Sequence, residues 1–156
     1  MIGGFAVNYH KFMRQTLDVD FAIVEEDFSK ISKALKEAGF KIDFIHDTFV
    51  RFKANDYYLA DIDFMCVDKE TFNKIVKDAK MISIANQKFM IPSLNTLIAM
   101  KLHAIKSNRK AREYKDLLDI LSLIRANNVN YKSREFKELC LKFGTEELYQ
   151  KIASLM

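Results

Sequence analysis

The spacing of apolar residues changes at Pro92, the only proline in the 156 residues, and this change most constrains the fold. Before Pro92, segments with every second residue apolar alternate with segments whose apolar residues recur every three to four positions. These are the periods of strands and of amphipathic helices. After Pro92 only the helical period continues. We therefore expect an α+β fold, with a mixed β-sheet and helices over residues 1–91 and a small helical extension over residues 92–156 packed on it.

The same pattern predicts the individual elements. Strands are expected over residues 17–24, 40–46, 48–53, 57–67, 81–84 and 88–91. Helices are expected over residues 5–13, 27–38, 69–79, 94–105, 112–126, 133–142 and 145–155. Asp27, Asp68 and Ser93 are placed to cap helix N-termini, and Gly39 is placed to follow the second helix.

Composition narrows the class of protein. Cys66 and Cys140 fit no metal or redox spacing, so we expect free thiols in a reducing cytoplasm. The chain opens without a signal-peptide pattern, and no stretch approaches the roughly 18 apolar residues of a membrane span, so we expect a cytoplasmic protein without membrane contact. The formal net charge of +4 mildly favours a polyanionic partner, but a solvated surface explains it equally well.

Asp18 and Asp20 are the first candidates for chemistry. They are two residues apart in a predicted strand, so both carboxylates face one side while the intervening apolar residues face the core. Adjacent carboxylates repel each other unless a cation or a proton lies between them. Mg²⁺ prefers carboxylate, phosphate and water oxygens, and two such ions can clamp the attacking and leaving oxygens of a phosphoryl transfer. For this pair alone, a surface strand with two solvated aspartates is the simpler alternative.

A two-metal site needs a third carboxylate, and the predicted strand 57–67 offers Asp61 and Asp63 on one face. Asp63 lies between Ile62 and Phe64, where an ionised side chain is costly unless it is paired or metal-bound. We therefore prefer Asp63, with Asp61 as the alternative. Asp63 would also be the group best placed to accept a proton from an attacking hydroxyl.

Residues before the Asp18–Asp20 pair could hold phosphate. Gly3 and Gly4 precede a predicted helix, where small residues let a phosphate approach backbone N–H groups at the positive end of the helix dipole. Arg14 could contact phosphate or pair with one of the two aspartates. A plain turn at the glycines and a structural ion pair of Arg14 are the respective alternatives.

Together these motifs resemble the beginning of the nucleotidyltransferases, in particular the minimal AbiEii toxin-like members. The resemblance covers about residues 2–125 and comprises a glycine turn, a helix, an Arg-x-Thr-x-Asp-x-Asp run, the third-carboxylate strand in IDFMCVDKETF and the helices that follow. Its site residues match Gly3, Gly4, Arg14, Thr16, Asp18, Asp20, Asp63, Lys101, Lys115 and Asp116, with Asp119 close by.

The resemblance implies a mixed sheet of five or fewer strands that binds an NTP together with Mg²⁺, with two ions expected. It implies transfer of a nucleotidyl group to a hydroxyl of tRNA, of a protein side chain or of a small molecule such as an aminoglycoside. Nucleotide binding then falls to Gly3, Gly4, Arg14, Thr16, Lys101 and Asp116. An antitoxin protein is a common partner of the toxin-like members, and another copy of the chain could complete a short first strand in a homo-oligomer.

Lys101 stands out because it follows apolar residues on a helix otherwise bound for the core, where a cation would seek a carboxylate or a phosphate. Lys115 and Asp116 on the next helix could brace it, or they could be ordinary surface charges. The wider stretch 101–115 carries six cations against Glu113 alone. This stretch could hold a triphosphate or an RNA backbone, with a solvated loop as the alternative.

The sequence therefore supports three functions, in decreasing order. The first is a Mg²⁺-dependent nucleotidyltransferase whose metal ligands include Asp18 and Asp20. The second is a catalytically inactive module of the same fold that binds a partner, for instance as half of a toxin–antitoxin pair. The third is an RNA-binding module that uses the basic stretch and has no nucleotide site.

Overall fold

The computed structural model describes residues 1–156. The strands are β1 (Asp18–Val24), β2 (Phe40–His46), β3 (Phe49–Ala54), β4 (Asp61–Val67), β5 (Lys80–Ile84) and β6 (Gln87–Ile91). The helices are α1 (Gly3–Tyr9), α2 (Phe28–Glu37), α3 (Lys69–Val76), α4 (Leu94–Ser107), α5 (Arg109–Ala126), α6 (Arg134–Phe143) and α7 (Glu146–Leu155). None of these helices has the length and hydrophobicity needed to cross a bilayer.

The chain separates into two compact units. The first, which we call the sheet unit, comprises residues 1–6 and 14–92. The second, the helical unit, comprises residues 7–13 and 93–156. The mixture of a sheet with helices confirms the predicted α+β class.

The sheet unit contains a four-stranded mixed sheet in the order β1-β4-β3-β2 and a separate β5-β6 hairpin. β1 and β4 are parallel, whereas β4, β3 and β2 are antiparallel to their neighbours. The parallel pair requires a crossover connection, which here contains α2 and the β2-β3 hairpin. The two strands that carry the candidate carboxylates are therefore adjacent in space although they are distant in sequence.

One face of the sheet is the apolar core of the sheet unit. Its buried residues are Ile23, Val50, Phe52, Phe64 and Cys66. Helix α2 packs against this face with apolar residues at helical spacing, namely Phe28, Ile31 and Leu35. Because side chains of a strand alternate between faces, the polar residues of β1 and β4 are directed to the other face.

The helical unit buries apolar residues from all four of its long helices. They include Leu97, Ile98, Leu102, Ile120, Leu123, Ile124, Phe136 and Ile152. Hydroxyl side chains begin three of these helices, since Ser93, Ser133 and Thr145 each accept a hydrogen bond from the backbone N–H three residues on. Such caps explain why the sequence located these helix starts to within one residue.

The start of β4 differs from the prediction. The strand was expected from residue 57 but begins at Asp61, because Asp56 accepts hydrogen bonds from the N–H groups of Tyr58 and Leu59 and so forms a turn. Tyr58 is consequently exposed. Leu17 was expected to begin the first strand, but it precedes β1 and is 79% exposed.

Several helix termini also differ from the prediction. Helix α1 ends at Tyr9 rather than near residue 13, because the chain turns at Lys11, whose φ is 70°. Helix α5 begins at Arg109 rather than at residue 112, because the side chain of Asn108 caps it. Asp27 precedes α2 as predicted, but its side chain makes no capping hydrogen bond because a 3-10 turn already occupies Glu25–Asp27.

Candidate metal and nucleotide site

The register of the parallel strands brings the acidic residues together. Asp18 of β1 lies beside Asp61 of β4, and Asp20 lies beside Asp63. One carboxylate oxygen from each of Asp18, Asp20 and Asp63 lies within 4.8 Å of the others. The structure therefore gathers the preferred three carboxylates into one cluster, which we call the carboxylate cluster.

Asp61 lies on the same strand but makes a different contact. Its Oδ1 atom accepts a hydrogen bond from the backbone N–H of Ala54, 3.1 Å away at the end of β3. This contact ties the β3-β4 connection and gives Asp61 a structural role. The alternative assignment of the third carboxylate to Asp61 is thus not favoured by the geometry.

Arg51 is a member of the site that the sequence analysis missed. It lies opposite Asp63 in the antiparallel β3-β4 register. Its Nε and Nη2 atoms donate hydrogen bonds to both oxygens of Asp63, at 2.8 and 2.6 Å. The Nη2 atom also lies 3.9 Å from Oδ2 of Asp18. The sequence does contain a signal for this role, namely a cation between the apolar residues Val50 and Phe52 in a predicted strand. A charged side chain at such a position needs a partner on the polar face of the sheet.

The ion pair of Arg51 and Asp63 is strongly asymmetric in exposure. The Asp63 side chain is only 4% exposed, whereas that of Arg51 is 39% exposed. The hydrogen bond to Asp63, more than the charge of this carboxylate, raises the pKa of Arg51 further above its ordinary value. Arg51 therefore remains a cation next to the carboxylate cluster at every relevant pH.

The two glycines make room for the carboxylate cluster. A Cβ atom on Gly3, whose φ is +59°, would lie 1.8 Å from Oδ2 of Asp20. A Cβ atom on Gly4 would lie 2.4 Å from Oγ1 of Thr16, and the Gly4 N–H points to Asp20 Oδ2 at 3.4 Å. The start of the chain is also tied to β1, because the N–H of Ile2 donates to the carbonyl oxygen of Asp20 at 2.8 Å. Only glycine permits this close approach.

Thr16 and Arg14 lie just before β1. The Thr16 hydroxyl donates to Oδ1 of Asp18 at 2.9 Å, so Thr16 orients a carboxylate of the cluster. Arg14 donates from Nη1 to the carbonyl oxygen of Gln15 at 3.2 Å. The nucleotide contacts predicted for Gly3, Gly4, Arg14 and Thr16 stay predictions.

Replacing Gly3 by alanine is expected to disturb the site more than the fold. The new methyl group would displace the Asp20 carboxylate, so binding of Mn²⁺ together with a nucleotide should weaken at least about tenfold, corresponding to one lost charged contact. Calorimetric titration measures this change. Gly39→Ala is the matched control, because Gly39 also has a positive φ, +90°, but nothing lies within 4 Å of its added Cβ. Gly39→Ala should lower stability by about 1 kcal/mol and leave binding unchanged; equal binding by both variants would contradict the packing described here.

Lys101 belongs to a buried ion network in the helical unit. Its Nζ atom on α4 donates to Oδ1 of Asp116 at 2.9 Å and to Oδ2 of Asp119 at 2.6 Å, both on α5. All three side chains are less than one-tenth exposed. Arg112 Nε lies 2.9 Å from the second oxygen of Asp116, at an angle that does not make a hydrogen bond. Lys101 is thus braced by Asp116 and Asp119, whereas Lys115 is exposed.

The basic stretch between α4 and α5 is partly neutralised by acidic neighbours. Arg109 forms ion pairs with Glu113 and, through both terminal nitrogens, with Glu147. Hydrogen bonds from Arg109 and Lys151 lower the pKa of Glu113 to about 2. Arg109 and Arg112 therefore serve the helical unit itself, which weakens the hypothesis of an RNA-binding surface built on this stretch.

The chemistry of the carboxylate cluster fits Mg²⁺. The donors are three carboxylates, the hard oxygen ligands that this ion prefers, and two of them remain partly exposed. With a bond length of about 2.1 Å, neighbouring ligands of an octahedral Mg²⁺ lie about 3 Å apart and opposite ligands about 4.2 Å apart. Ligand oxygens within 4.8 Å of one another would therefore have to move closer together to share an ion. The residues that could hold a metal are Asp18, Asp20 and Asp63.

The chain has the fold of solved nucleotidyltransferases. The chain is similar to the antibiotic-resistance factor ANT(2'')-Ia, with a TM-score of 0.62 and 13% identity over 99% of this chain and 83% of that one. It is similar to an antigenic nucleotidyltransferase-like protein from Paracoccidioides brasiliensis, with a TM-score of 0.56 and 17% identity over 99% and 80% of the two chains.

A third similar structure is the lincosamide antibiotic adenylyltransferase LnuA bound to lincomycin. Its TM-score is 0.53, with 16% identity over 78% of this chain and 82% of that one. No protein-family model and no curated protein sequence matches the chain. The predicted nucleotidyltransferase fold is therefore confirmed by these structures. At sequence identities of 13% to 17%, the similarity concerns the fold alone.

Proposed function

We propose that this protein transfers a nucleotidyl group from an NTP to a hydroxyl acceptor in a Mg²⁺-dependent reaction. The observation that carries the proposal is the carboxylate cluster, with Asp18, Asp20 and Asp63 gathered within 4.8 Å in a nucleotidyltransferase fold. Two solvated aspartates on a strand would not require a third, buried one beside them. Gly3 supports the same conclusion, because Asp20 occupies the space that a side chain at this position would need.

Each member of the cluster has a distinct role in this proposal. Asp18 and Asp20, which are partly exposed, are the principal metal ligands, and Asp63 completes the set from the buried side. Bound there, Mg²⁺ would neutralise the triphosphate and stabilise charge on the attacking and leaving oxygens. Thr16 orients Asp18, and Gly3 leaves space for Asp20.

The proton-accepting role predicted for Asp63 is not favoured by its surroundings. Both of its oxygens already accept hydrogen bonds from Arg51, and its side chain is 4% exposed. A general base must reach the proton that it abstracts. We keep Asp63 as a metal ligand, and its role as proton acceptor stays a prediction that requires Arg51 to release one of these oxygens.

The nucleotide contacts extend the proposal beyond the cluster. We keep Gly3, Gly4 and Arg14 as candidate phosphate neighbours because they precede the carboxylates in the same unit. Lys101 and Asp116 are kept from the sequence resemblance. Their buried ion network shows that Lys101 has carboxylate partners of its own, so a contact with triphosphate would be in addition to these partners.

For the acceptor, the proposal names three classes. A small molecule with hydroxyl groups is suggested by the similar structures, of which one is a lincosamide adenylyltransferase and another an antibiotic-resistance factor. A tRNA or a protein side chain is suggested by the sequence resemblance to AbiEii toxin-like enzymes, for which an antitoxin protein is a common partner. The cytoplasmic location expected from the sequence composition is also part of the proposal. We also keep the prediction that several copies of this chain form a homo-oligomer.

A labelled-transfer assay tests the function. The full chain is incubated with each of the four NTPs labelled at the α-phosphate, with Mg²⁺ or with EDTA. The acceptors are total tRNA, the protein itself, and a panel of lincosamides and aminoglycosides. We expect label on one acceptor class with one preferred base, and none with EDTA. Failure of every combination, together with absence of metal–nucleotide binding, would refute the proposal.

One observation favours a second candidate, a catalytically inactive module of the same fold. The guanidinium of Arg51 supplies the buried Asp63 with a cation, so the site can be stable without a metal. In that case the protein should bind neither Mn²⁺ nor NTP although it is folded. Calorimetric titration with Mn²⁺ and a non-hydrolysable NTP distinguishes the two candidates.

A further inference from the structure

We propose that Arg51 is an internal counter-cation of the carboxylate cluster that makes metal binding depend on the nucleotide. The metal alone would bind weakly. Bound NTP would strengthen the binding of the metal, and bound metal would strengthen the binding of the NTP. This inference rests on the proposed function, because it concerns how the same carboxylates receive their metal. Arg51 is a positioning residue here, since it acts through Asp63 and through the charge of the site.

Asp63 is almost completely buried. A carboxylate that is 4% exposed is unfavourable unless it is paired and hydrogen-bonded. Arg51 meets both requirements with two hydrogen bonds, and the β3-β4 register places the two residues directly opposite each other. The strand pairing therefore holds this cation at the cluster, whatever the occupancy of the metal site.

The guanidinium of Arg51 also lies near a second carboxylate, that of Asp18. Arg51 Nη2 is 2.6 Å from Asp63 Oδ2 and 3.9 Å from Asp18 Oδ2. The guanidinium thus lies against two of the three candidate ligands. The formal charge of the cluster becomes −2 instead of −3, and a positive group borders the volume that a divalent cation would enter.

The positive charge of Arg51 acts in opposite directions on a metal ion and on an NTP. A unit charge at about 5 Å from a divalent ion weakens its binding on the order of tenfold even in a water-like dielectric. A triphosphate has the opposite charge, and the Arg51 side chain is 39% exposed and can attract it. Arg51 therefore opposes a metal that arrives alone and favours one that arrives with an NTP, which is a positive coupling between the two ligands.

The test measures Mn²⁺ binding by the electron paramagnetic resonance of free Mn²⁺, with and without a non-hydrolysable NTP. In the unaltered protein, we expect the nucleotide to strengthen Mn²⁺ binding at least about tenfold. In Arg51→Gln, Mn²⁺ alone should bind about tenfold more tightly, and the nucleotide effect should shrink. Arg51→Lys should restore the unaltered behaviour in part, because lysine keeps the charge but not the two-pronged hydrogen bond. Lys33→Gln, on the exposed surface of α2, is the control for net charge.

The sign of the change is what distinguishes this role from a structural one. Loss of a merely structural residue would loosen Asp63 and weaken Mn²⁺ binding, so unchanged or weaker binding by folded Arg51→Gln overturns the inference while the proposed function stands. If Arg51→Gln does not fold, the unaltered protein decides, because equal Mn²⁺ affinity with and without NTP also overturns it. Absence of Mn²⁺ binding under both conditions refutes the proposed function and this inference with it.

Discussion

Replacing Asp18 and Asp20 together by asparagine is expected to lower the proposed nucleotidyl transfer by about 10³-fold or more, because the two principal ligands proposed for the metal lose their charge. The fold should persist, since the change relieves repulsion between neighbouring carboxylates and the amide oxygen at position 18 can still accept the Thr16 hydrogen bond. Initial rates with labelled NTP and calorimetric binding of Mn²⁺ with nucleotide measure the effect.

Asp61→Asn is the matched control for this double variant. It makes one aspartate-to-asparagine change of the same kind on the adjacent strand, and its amide oxygen can still accept the hydrogen bond from Ala54. We expect transfer to be retained. Loss of transfer in Asp61→Asn would restore Asp61 as a ligand, whereas unchanged metal–nucleotide binding in the double variant would exclude the metal site at Asp18 and Asp20.

Lys101→Met is expected to lower the free energy of unfolding by about 3–5 kcal/mol, the typical effect of removing one partner from a buried ion pair. The reason is that Asp116 and Asp119 are 1% and 2% exposed, and each loses the hydrogen bond and the nearby positive charge that Lys101 supplies. Urea denaturation followed by circular dichroism measures the change. Such a loss would be a large fraction of the total stability of an ordinary domain, which is about 5–15 kcal/mol.

Two further variants make this second prediction specific. Lys74→Met removes the cation from the exposed pair with Glu70 on α3, and little change in stability is expected there. The triple replacement Lys101→Met, Asp116→Leu and Asp119→Leu removes the whole buried charge set and should recover most of the loss. If Lys101→Met alone is as stable as the unaltered protein, the buried network described for the helical unit is wrong.

Most of the fold could be predicted because its signals are local. The period of apolar residues distinguishes strands from helices, and Ser93, Ser133 and Thr145 mark helix starts by hydrogen bonds to residues only three positions away. The errors have the same origin. The Asn108 cap and the Asp56 turn are also local. The side chain of Asn108 begins α5 earlier than the apolar pattern predicted, and the turn at Asp56 begins β4 later than predicted.

The site was only partly predictable, because its parts meet through strand pairing. The sequence alone determined that Asp18 and Asp20 share a face, since alternation along a strand requires it. It ranked Asp63 above Asp61 by the cost of burying charge.

Only the tertiary structure decided which groups complete the cluster. The pairing of β1 with β4 brings Asp63 to Asp20, and the pairing of β3 with β4 brings Arg51 to Asp63. The contact of Gly3 with Asp20 spans 17 positions of sequence, and that of Lys101 with Asp119 spans 18. The physical reason is that periodicity reports which face of an element a residue occupies, whereas register and packing between elements select its neighbours.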